Sequence, residues 1–332
     1  RTELEEERRL FYVALTRAEK HLFISYAAFK NDGKEIEPSM FIAEIIESHT
    51  IPVEKITLTA EQIMEFELLQ FAAQAPEIEK AEEDFITAIL SKFVMNVTAL
   101  NAYLNCPLGF YYKNLIRIPS GKSEATEFGS AVHHALEKLF RKMQETKKDL
   151  FPPQQDMLAD FRWYMNKHRE NFTKEAFERR MEYGEEVLTK YYEKYVTNWN
   201  KVVSVELNIR GVVIDGVPLK GKLDKLEFNG KEVNVVDYKS GDIDKAIHKM
   251  KPPNDKTPNG GDYWRQAVFY KILVDNYQQK DWKVISTEFD FVEPDKKKEY
   301  RKEKIVIAPQ DIETVKHQLK DVWAKIQARD FY

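Results

Sequence analysis

Residues 221–241, GKLDKLEFNGKEVNVVDYKSG, constrain this chain more than any other stretch. Apolar and polar residues alternate on both sides of Asn229-Gly230, a dipeptide strongly preferred in two-residue β-hairpin turns. With Phe228 set opposite Lys231, Asp224 lies across from Val235, and Asp237 is the next residue on that face. The two-residue period of a strand then projects Asp224, Asp237 and Lys239 from one side of the hairpin. The carboxylates become diagonal neighbours roughly 7–8 Å apart, close enough to share a cation. Leu223, Leu226, Val233, Val235 and Val236 flank them, so an unpaired charge here would be expensive to bury. A cation and the lysine ammonium are the partners that remove that cost.

The rest of the 332 residues divides by period and composition. Residues 1–49 begin with a charged helix whose face carries Leu10, Val13 and Ala14, followed by a short strand over 22–26. Residues 50–92, poor in aromatics and acidic near 77–84, predict one or two connecting helices. The block 93–332 opens with a helix capped at Thr98 and broken at Cys106-Pro107. Val132, Ala135, Leu136, Leu139, Phe140 and Met143 mark an amphipathic helix over 127–143. His133 and Glu137 share a face beside that stripe, and Gly129 permits close approach of another backbone. Helical spacing continues over 161–199. After Trp199 the period becomes two, giving a strand over 202–213, an Asp215-Gly216 turn, the strand carrying Asp224 and the second hairpin strand. A lysine-rich loop over 242–261 leads to a helix over 263–277 with Gln266 and Tyr270 one turn apart. Strands over 284–292 and 304–307 and a final helix from Pro309 complete a mixed α/β pattern.

No apolar run approaches the roughly 20 residues needed to cross a bilayer, and no signal peptide opens the chain. A cytoplasmic protein without membrane attachment is expected. The lone cysteine, Cys106, excludes an internal disulfide framework and an all-cysteine metal cluster held by this chain alone. A net charge of −4 is a weak guide to partners when acidic and basic segments are separated. The chain opens at Arg1 inside an expected helix, the pattern of a piece of a longer protein.

Oxygen ligands without cysteine favour Mg²⁺ or Mn²⁺ over zinc. Carboxylate-bound divalent ions supply what phosphodiester hydrolysis requires: an activated water, a counter-charge and help for the leaving oxygen. A lysine two residues beyond the second acid shares its face and can orient the water. Gly221-Lys222-Leu223-Asp224 and Val236-Asp237-Tyr238-Lys239-Ser240-Gly241 resemble the GxxD and (V/I)DYKTG motifs of the PD-(D/E)xK nucleases of the RecB/AddB branch. Four further marks of that branch have counterparts: the segment 103–118 with Cys106-Pro107, the G-x-x-x-H spacing of Gly129 and His133, Glu206, and the Q-x-x-x-Y spacing of Gln266 and Tyr270. Upstream, Leu15-Thr16-Arg17-Ala18 closely resembles motif VI of superfamily 1 helicases of the UvrD/RecB type. Pro38-Ser39-Met40-Phe41 is similar to their closing PSRF segment, with methionine in place of arginine.

The resemblance implies an α/β (α+β-like) chain with a restriction-endonuclease-like core, a central mixed sheet flanked by helices, and a helical N-terminal part. Its domains would be a helicase remnant at 1–49, a helical linker at 50–92 and the nuclease at 93–332. By the same resemblance His133, Asp224, Asp237 and the Tyr238 carbonyl hold Mg²⁺ or Mn²⁺. Asp224, Asp237, Lys239 and Glu206 would be catalytic, while Gln266 and Tyr270 support the site or contact DNA. Arg17 would meet the γ-phosphate of ATP only in the full-length motor, because no phosphate-loop motif occurs in this chain. Some relatives hold an iron–sulfur cluster with four cysteines; none is expected here, and Cys106 is expected to be a small buried residue. The implied activity is an exonuclease acting on single-stranded DNA or duplex ends in recombination and double-strand-break repair, with a possible second helicase–nuclease subunit. The alternative is a catalytically inactive DNA-binding or scaffolding module of the same fold.

Geometry adds one expectation. With two-residue turns at both hairpins, Glu206 falls on the opposite face from Asp224, and a one-residue bulge at Gly221 would bring it back. His134 faces about 100° away from His133, outside the site. The loop lysines Lys245, Lys249, Lys251 and Lys256 are candidates for phosphate contacts.

Overall fold

Two compact units, 1–79 and 80–332, make up the computed structural model, which describes residues 3–30, 33–49, 51–71, 83–119, 121, 123–146 and 150–331. The first unit holds α1 (Glu3–Leu15), α2 (Met40–Ser48) and α3 (Ala60–Phe71). Phe11 stacks on Phe41 with ring centroids 5.6 Å apart, and Arg8 lies over the same ring while pairing with Glu44. The expected face of α1 is therefore not the packed one. Leu10, Val13 and Ala14 are exposed, because Arg8 and Phe11, one turn apart on a different side, make the contact with α2. Residues 22–26 do not form the expected strand; among the described residues no second strand lies beside them to pair their backbone groups. The acidic run near 77–84 falls largely outside the described residues.

The second unit contains a five-stranded sheet in the order β1 (Val203–Ile214), β2 (Val217–Asn229), β3 (Glu232–Lys239), β4 (Lys283–Phe291) and β5 (Lys302–Ile305). Its helices are α4 (Glu83–Leu90), α5 (Val97–Asn105), α6 (Glu124–Glu145), α7 (Gln154–Lys167), α8 (Lys174–Tyr195), α9 (Asp262–Asp275) and α10 (Pro309–Gln327). All neighbouring strands are antiparallel except β3 and β4. A parallel pair needs a crossover, and the chain makes it through α9. The sheet is thus mixed, as expected. Helices α6, α7 and α8 cover one face: Leu136 and Phe140, Met157 and Phe161, and Leu188 and Tyr191 meet Val203, Val236 and Tyr238. On the other face, Ala267 of α9 packs with Phe289 and Phe291 of β4.

Local chemistry moved several boundaries. Asn96, not Thr98, caps α5: its side chain accepts the Ala99 N–H at 2.8 Å. Cys106 is exposed rather than buried, since its Sγ accepts the Gly109 N–H at 3.3 Å and caps the turn that Pro107 starts. The helical stretch over 161–199 is two helices, with Thr173 capping the second through the Ala176 N–H. Part of the lysine-rich loop is helical, in the turns Ile243–Ala246 and Ile247–Met250, because Ile243 and Ala246 are buried against Phe289 and Phe291.

Candidate active site

The hairpin that carries the acids turns at Gly230-Lys231 rather than at Asn229-Gly230, so that Asn229 pairs with Glu232 and Lys225 with Val236. Gly230 is left-handed at φ 63° and Lys231 is not, the pattern of a type II′ turn, which takes glycine first. The register moves by two residues, a displacement that preserves both faces. One step beyond the Lys225–Val236 pair, Asp224 stands level with Asp237 instead of Val235. The carboxylates are direct rather than diagonal neighbours.

The first hairpin closes at Asp215-Gly216, both left-handed, as expected. From Ile214–Val217 to Val212–Leu219 it keeps one register, and from Ile209–Gly221 to Val203–Glu227 another, displaced by one. The anticipated shift exists, but not at Gly221. The extra residue lies on β1 at Arg210-Gly211, where Gly211 has φ 77°. Gly221 sits in the regular ladder, and a Cβ there would fall 2.6 Å from Leu273 Cδ2, so its smallness serves close packing against α9. The displaced register sets Glu206 across from Asp224. Glu206 is itself left-handed at φ 53°, a conformation that costs a non-glycine residue roughly 1–2 kcal/mol, and the ladder is interrupted there.

These placements bring the candidate residues together. His133 Nδ1 lies 3.2 Å from Asp224 Oδ2, which also accepts the Tyr238 backbone N–H at 3.0 Å. Asp237 Oδ1 accepts from Gln266 Nε2 at 2.9 Å and from the Tyr270 hydroxyl at 3.1 Å. Gln266 Nε2 also donates to Tyr270 Oη at 2.8 Å, locking the two α9 side chains to each other. Lys239 Nζ donates to Gln266 Oε1 at 2.8 Å and stands 2.8 Å from Asp237 Oδ2. That short ion pair is the contact made by the buried Oδ2 among the described residues. Glu206 pairs with Lys222. His133, Glu206, Asp224 and Lys222 share the walls of a cleft of about 500 Å³ with Glu137, His134 and Tyr164.

Electrostatics separate the two acids. Burial pushes Asp237 above the usual carboxylate range; Lys239 opposes this and the Asp224 charge reinforces it. Burial acts on Asp224 as well, but His133, the Tyr238 N–H and Lys239 more than offset it and hold Asp224 low. Burial disfavours the imidazolium of His133, yet the charge and hydrogen bond of Asp224 raise its pKa. Burial likewise disfavours the Lys239 ammonium, and Asp237 more than compensates, raising it.

Among the described residues no three His, Cys, Asp or Glu side chains already surround one ion position. The donors are turned toward protein partners instead: Asp224 to His133 and Tyr238, Asp237 to Lys239, Gln266 and Tyr270. The chemistry of the set still suits a hard divalent cation. An imidazole nitrogen, the half-buried Asp224 carboxylate and the buried Asp237 carboxylate converge, and Asp237 Oδ2 faces the Lys239 ammonium.

Sequence reasoning did not assign Lys222, Tyr263 or Glu293. Lys222 lies inside the GKLD motif, a signal that was available. Tyr263 precedes Gln266 by three residues on α9, and its ring sits 4.3 Å from Lys239 Nζ. Glu293 accepts the Gly241 N–H and the Tyr183 hydroxyl, tying the end of the hairpin to α8, with no sequence signal. Gly129 does allow a close approach, but by the Ser240 side chain rather than by backbone. Arg17 is exposed just beyond α1 in the first unit.

Residues 94–332 match the PD-(D/E)XK nuclease superfamily, and residues 1–28 match the UvrD-like helicase C-terminal domain. One of the subunits of the ATP-dependent helicase/deoxyribonuclease of Carboxydothermus hydrogenoformans is 22% identical over 75% of this chain. The match spans only 29% of that protein's length. The crystal structure of a candidate exonuclease from Eubacterium rectale is 14% identical with a TM-score of 0.44, covering 77% of this chain and 89% of that one.

Proposed function

This chain belongs to the PD-(D/E)XK nuclease superfamily, and on that premise we propose that residues 93–332 are a metal-dependent deoxyribonuclease, an exonuclease working beside a helicase motor in DNA recombination and double-strand-break repair. Residues 1–49 are then the tail of that motor, with Arg17 serving ATP only in the complete machine, and 50–92 connect the two. Its partners would be DNA and a second helicase–nuclease subunit. Among the described residues no helix is long and apolar enough to cross a membrane, and we place the enzyme in the cytoplasm.

The observation that carries this reading is the division of labour at Asp237. Gln266 and Tyr270 occupy Oδ1 and fix the carboxylate plane, while Oδ2 stands beside the Lys239 ammonium, where a cation would bind. His133, Asp224, Asp237 and the Tyr238 carbonyl would hold Mg²⁺ or Mn²⁺, with Glu206 in reach across the bulged strand. Such an ion supplies Lewis-acid stabilisation of phosphate charge and a water of lowered pKa. Lys239, held by Gln266 and backed by the Tyr263 ring, orients the attacking water and offsets charge on the phosphate.

Cleavage of labelled single-stranded and duplex DNA with Mg²⁺ or Mn²⁺ tests this. Asp237→Ala should abolish cleavage, Lys239→Ala should slow it on the order of 10²–10³-fold, and a chelator should stop it. If both variants cut as well as the parent, the assignment is wrong, and a parent that binds DNA without cutting is a scaffolding module.

A further inference from the structure

Two grooves extend from the candidate active site along the outer hairpin. The first, of about 280 Å³, is walled by Asn208 and Arg210 of β1 and by Lys220 and Lys222 of β2, facing Asn96 and Thr98 at the start of α5. Across Asn96, Thr98 and Lys220 it continues into a second groove of about 380 Å³, whose far wall carries Lys113, Asn114 and Arg117. Lys222 belongs both to the first groove and to the cleft that holds His133, Glu206 and Asp224. The three hollows therefore adjoin one another through shared walls.

The walls of the two grooves include no aspartate or glutamate among the described residues. Lys113, Arg117, Arg210 and Lys220 make no side-chain hydrogen bond or ion pair among the described residues either. In a chain with 55 acidic and 51 basic residues, carboxylates are plentiful enough to have neutralised them. Four like charges gathered without counter-charge repel one another, and a polyanion lying between them reverses the sign of that energy.

A different kind of surface stands at the cleft. His134 and Tyr164 line it, and Trp163, 54% exposed, stacks on His134 with centroids 5.3 Å apart and planes 27° from parallel. Lys167 lies 4.9 Å from the Trp163 ring centre. An exposed indole beside a cation offers an unpaired base a stacking partner, whereas a duplex keeps its base faces hidden.

Resting on the nuclease reading of the same cleft, we infer that a single polynucleotide strand lies along this path, its phosphates on Arg210, Lys220, Lys113 and Arg117 and a base stacked on the Trp163–His134–Tyr164 wall. Recognition of this kind is independent of sequence, because cations meet phosphates and the rings accept any base. Lys222 is the cation of the track nearest the carboxylates, and its pairing with Glu206 ties the track to the cleft.

The test measures binding with a chelator present, so that cleavage does not interfere. Fluorescence anisotropy follows a labelled mixed-sequence single strand, and separately its duplex, over a range of salt. Arg210→Ala/Lys220→Ala and Lys113→Ala/Arg117→Ala should each weaken binding and flatten the slope of log affinity against log salt by about 1.4, two contacts at about 0.7 each. Trp163→Ala should weaken the single strand roughly tenfold, leave its salt slope in place and spare the duplex. Parental affinity and slope in both double variants would overturn the track, and equal losses on single strand and duplex from Trp163→Ala would overturn the stacking wall. Lys113, Arg117 and Arg210 are exposed, and unchanged thermal melting confirms that the variants fold. A parent that binds with this salt dependence but never cleaves with Mg²⁺ or Mn²⁺ defeats the nuclease reading alone. A parent that cleaves while the double variants bind as it does defeats the track alone.

Discussion

None of the described side chains between residues 3 and 71 is buried, and Phe23 there is 92% exposed, whereas Phe140, Phe161 and Leu188 of the second unit are completely buried. Both stretches are rich in apolar residues; α2, MFIAEIIES, is more apolar than most of the helices that line the core. What differs is the number of layers. In the second unit a sheet offers two faces and helices close both, so each apolar stripe finds another. In the first, α1 and α2 meet through Phe11 and Phe41, and Leu10, Ile56 and Phe66 are left in solvent. An apolar stripe states what a helix could bury, and only a second layer decides whether it does.

The comparison breaks most plainly if the two stretches are produced separately. Residues 80–332 should unfold in one cooperative thermal transition followed by circular dichroism, and residues 1–79 should show none. A sharp transition in the shorter piece would mean that it has a core of its own. A smaller effect sharpens the contrast residue by residue. In urea titrations of the whole chain, Phe161→Ala should cost about 3–5 kcal/mol and Phe23→Ala no more than about 0.5 kcal/mol. A large loss from Phe23→Ala would show that the first unit's surface is covered. The smallest effect compares two glycines with nearly the same backbone, Gly211 at φ 77° and Gly33 at φ 80°, each with open space where a Cβ would stand. Alanine should strain either by roughly 1–2 kcal/mol, but only Gly211→Ala should lower the cooperative transition. Because Gly211 forms the bulge that sets Glu206 across from Asp224, its variant should also cleave DNA more slowly.

Much of the site was legible. Parity along a strand is a local property, so Asp224, Asp237 and Lys239 could be put on one face from spacing alone, and a one-residue error in the turn, which moved the register by two, left that conclusion intact. The need for a bulge followed from counting between two turns. Its position did not, because Gly211 and Gly221 are both glycines in strands, and only the left-handed backbone at Gly211 and the packing of Leu273 against Gly221 distinguish them. Thr98 was misread because a competing cap, Asn96, lies two residues away, and Cys106 because its thiol, expected to be buried, serves instead as an exposed cap; the hydrogen bond formed in each case depends on backbone angles that composition does not specify. Glu293 left no trace in the pattern, since its partners Gly241 and Tyr183 come from separate elements.

By itself the sequence determined the things that depend on near neighbours: the hairpins, the alternation of faces, the amphipathic stripe of α6, and the i, i+4 pairing of Gln266 with Tyr270 on one side of α9. The tertiary structure alone decided which of these meet. It brought His133 from α6 to Asp224, clamped Asp237 Oδ1 between two side chains of α9 and left Oδ2 beside Lys239. It also lined up Lys113, Lys220 and Arg210, more than a hundred residues apart at the extremes, along one path to the cleft. The physical reason is range. Turn and helix preferences act over a few residues, while burial and charge act between whichever surfaces the packed sheet and helices force together.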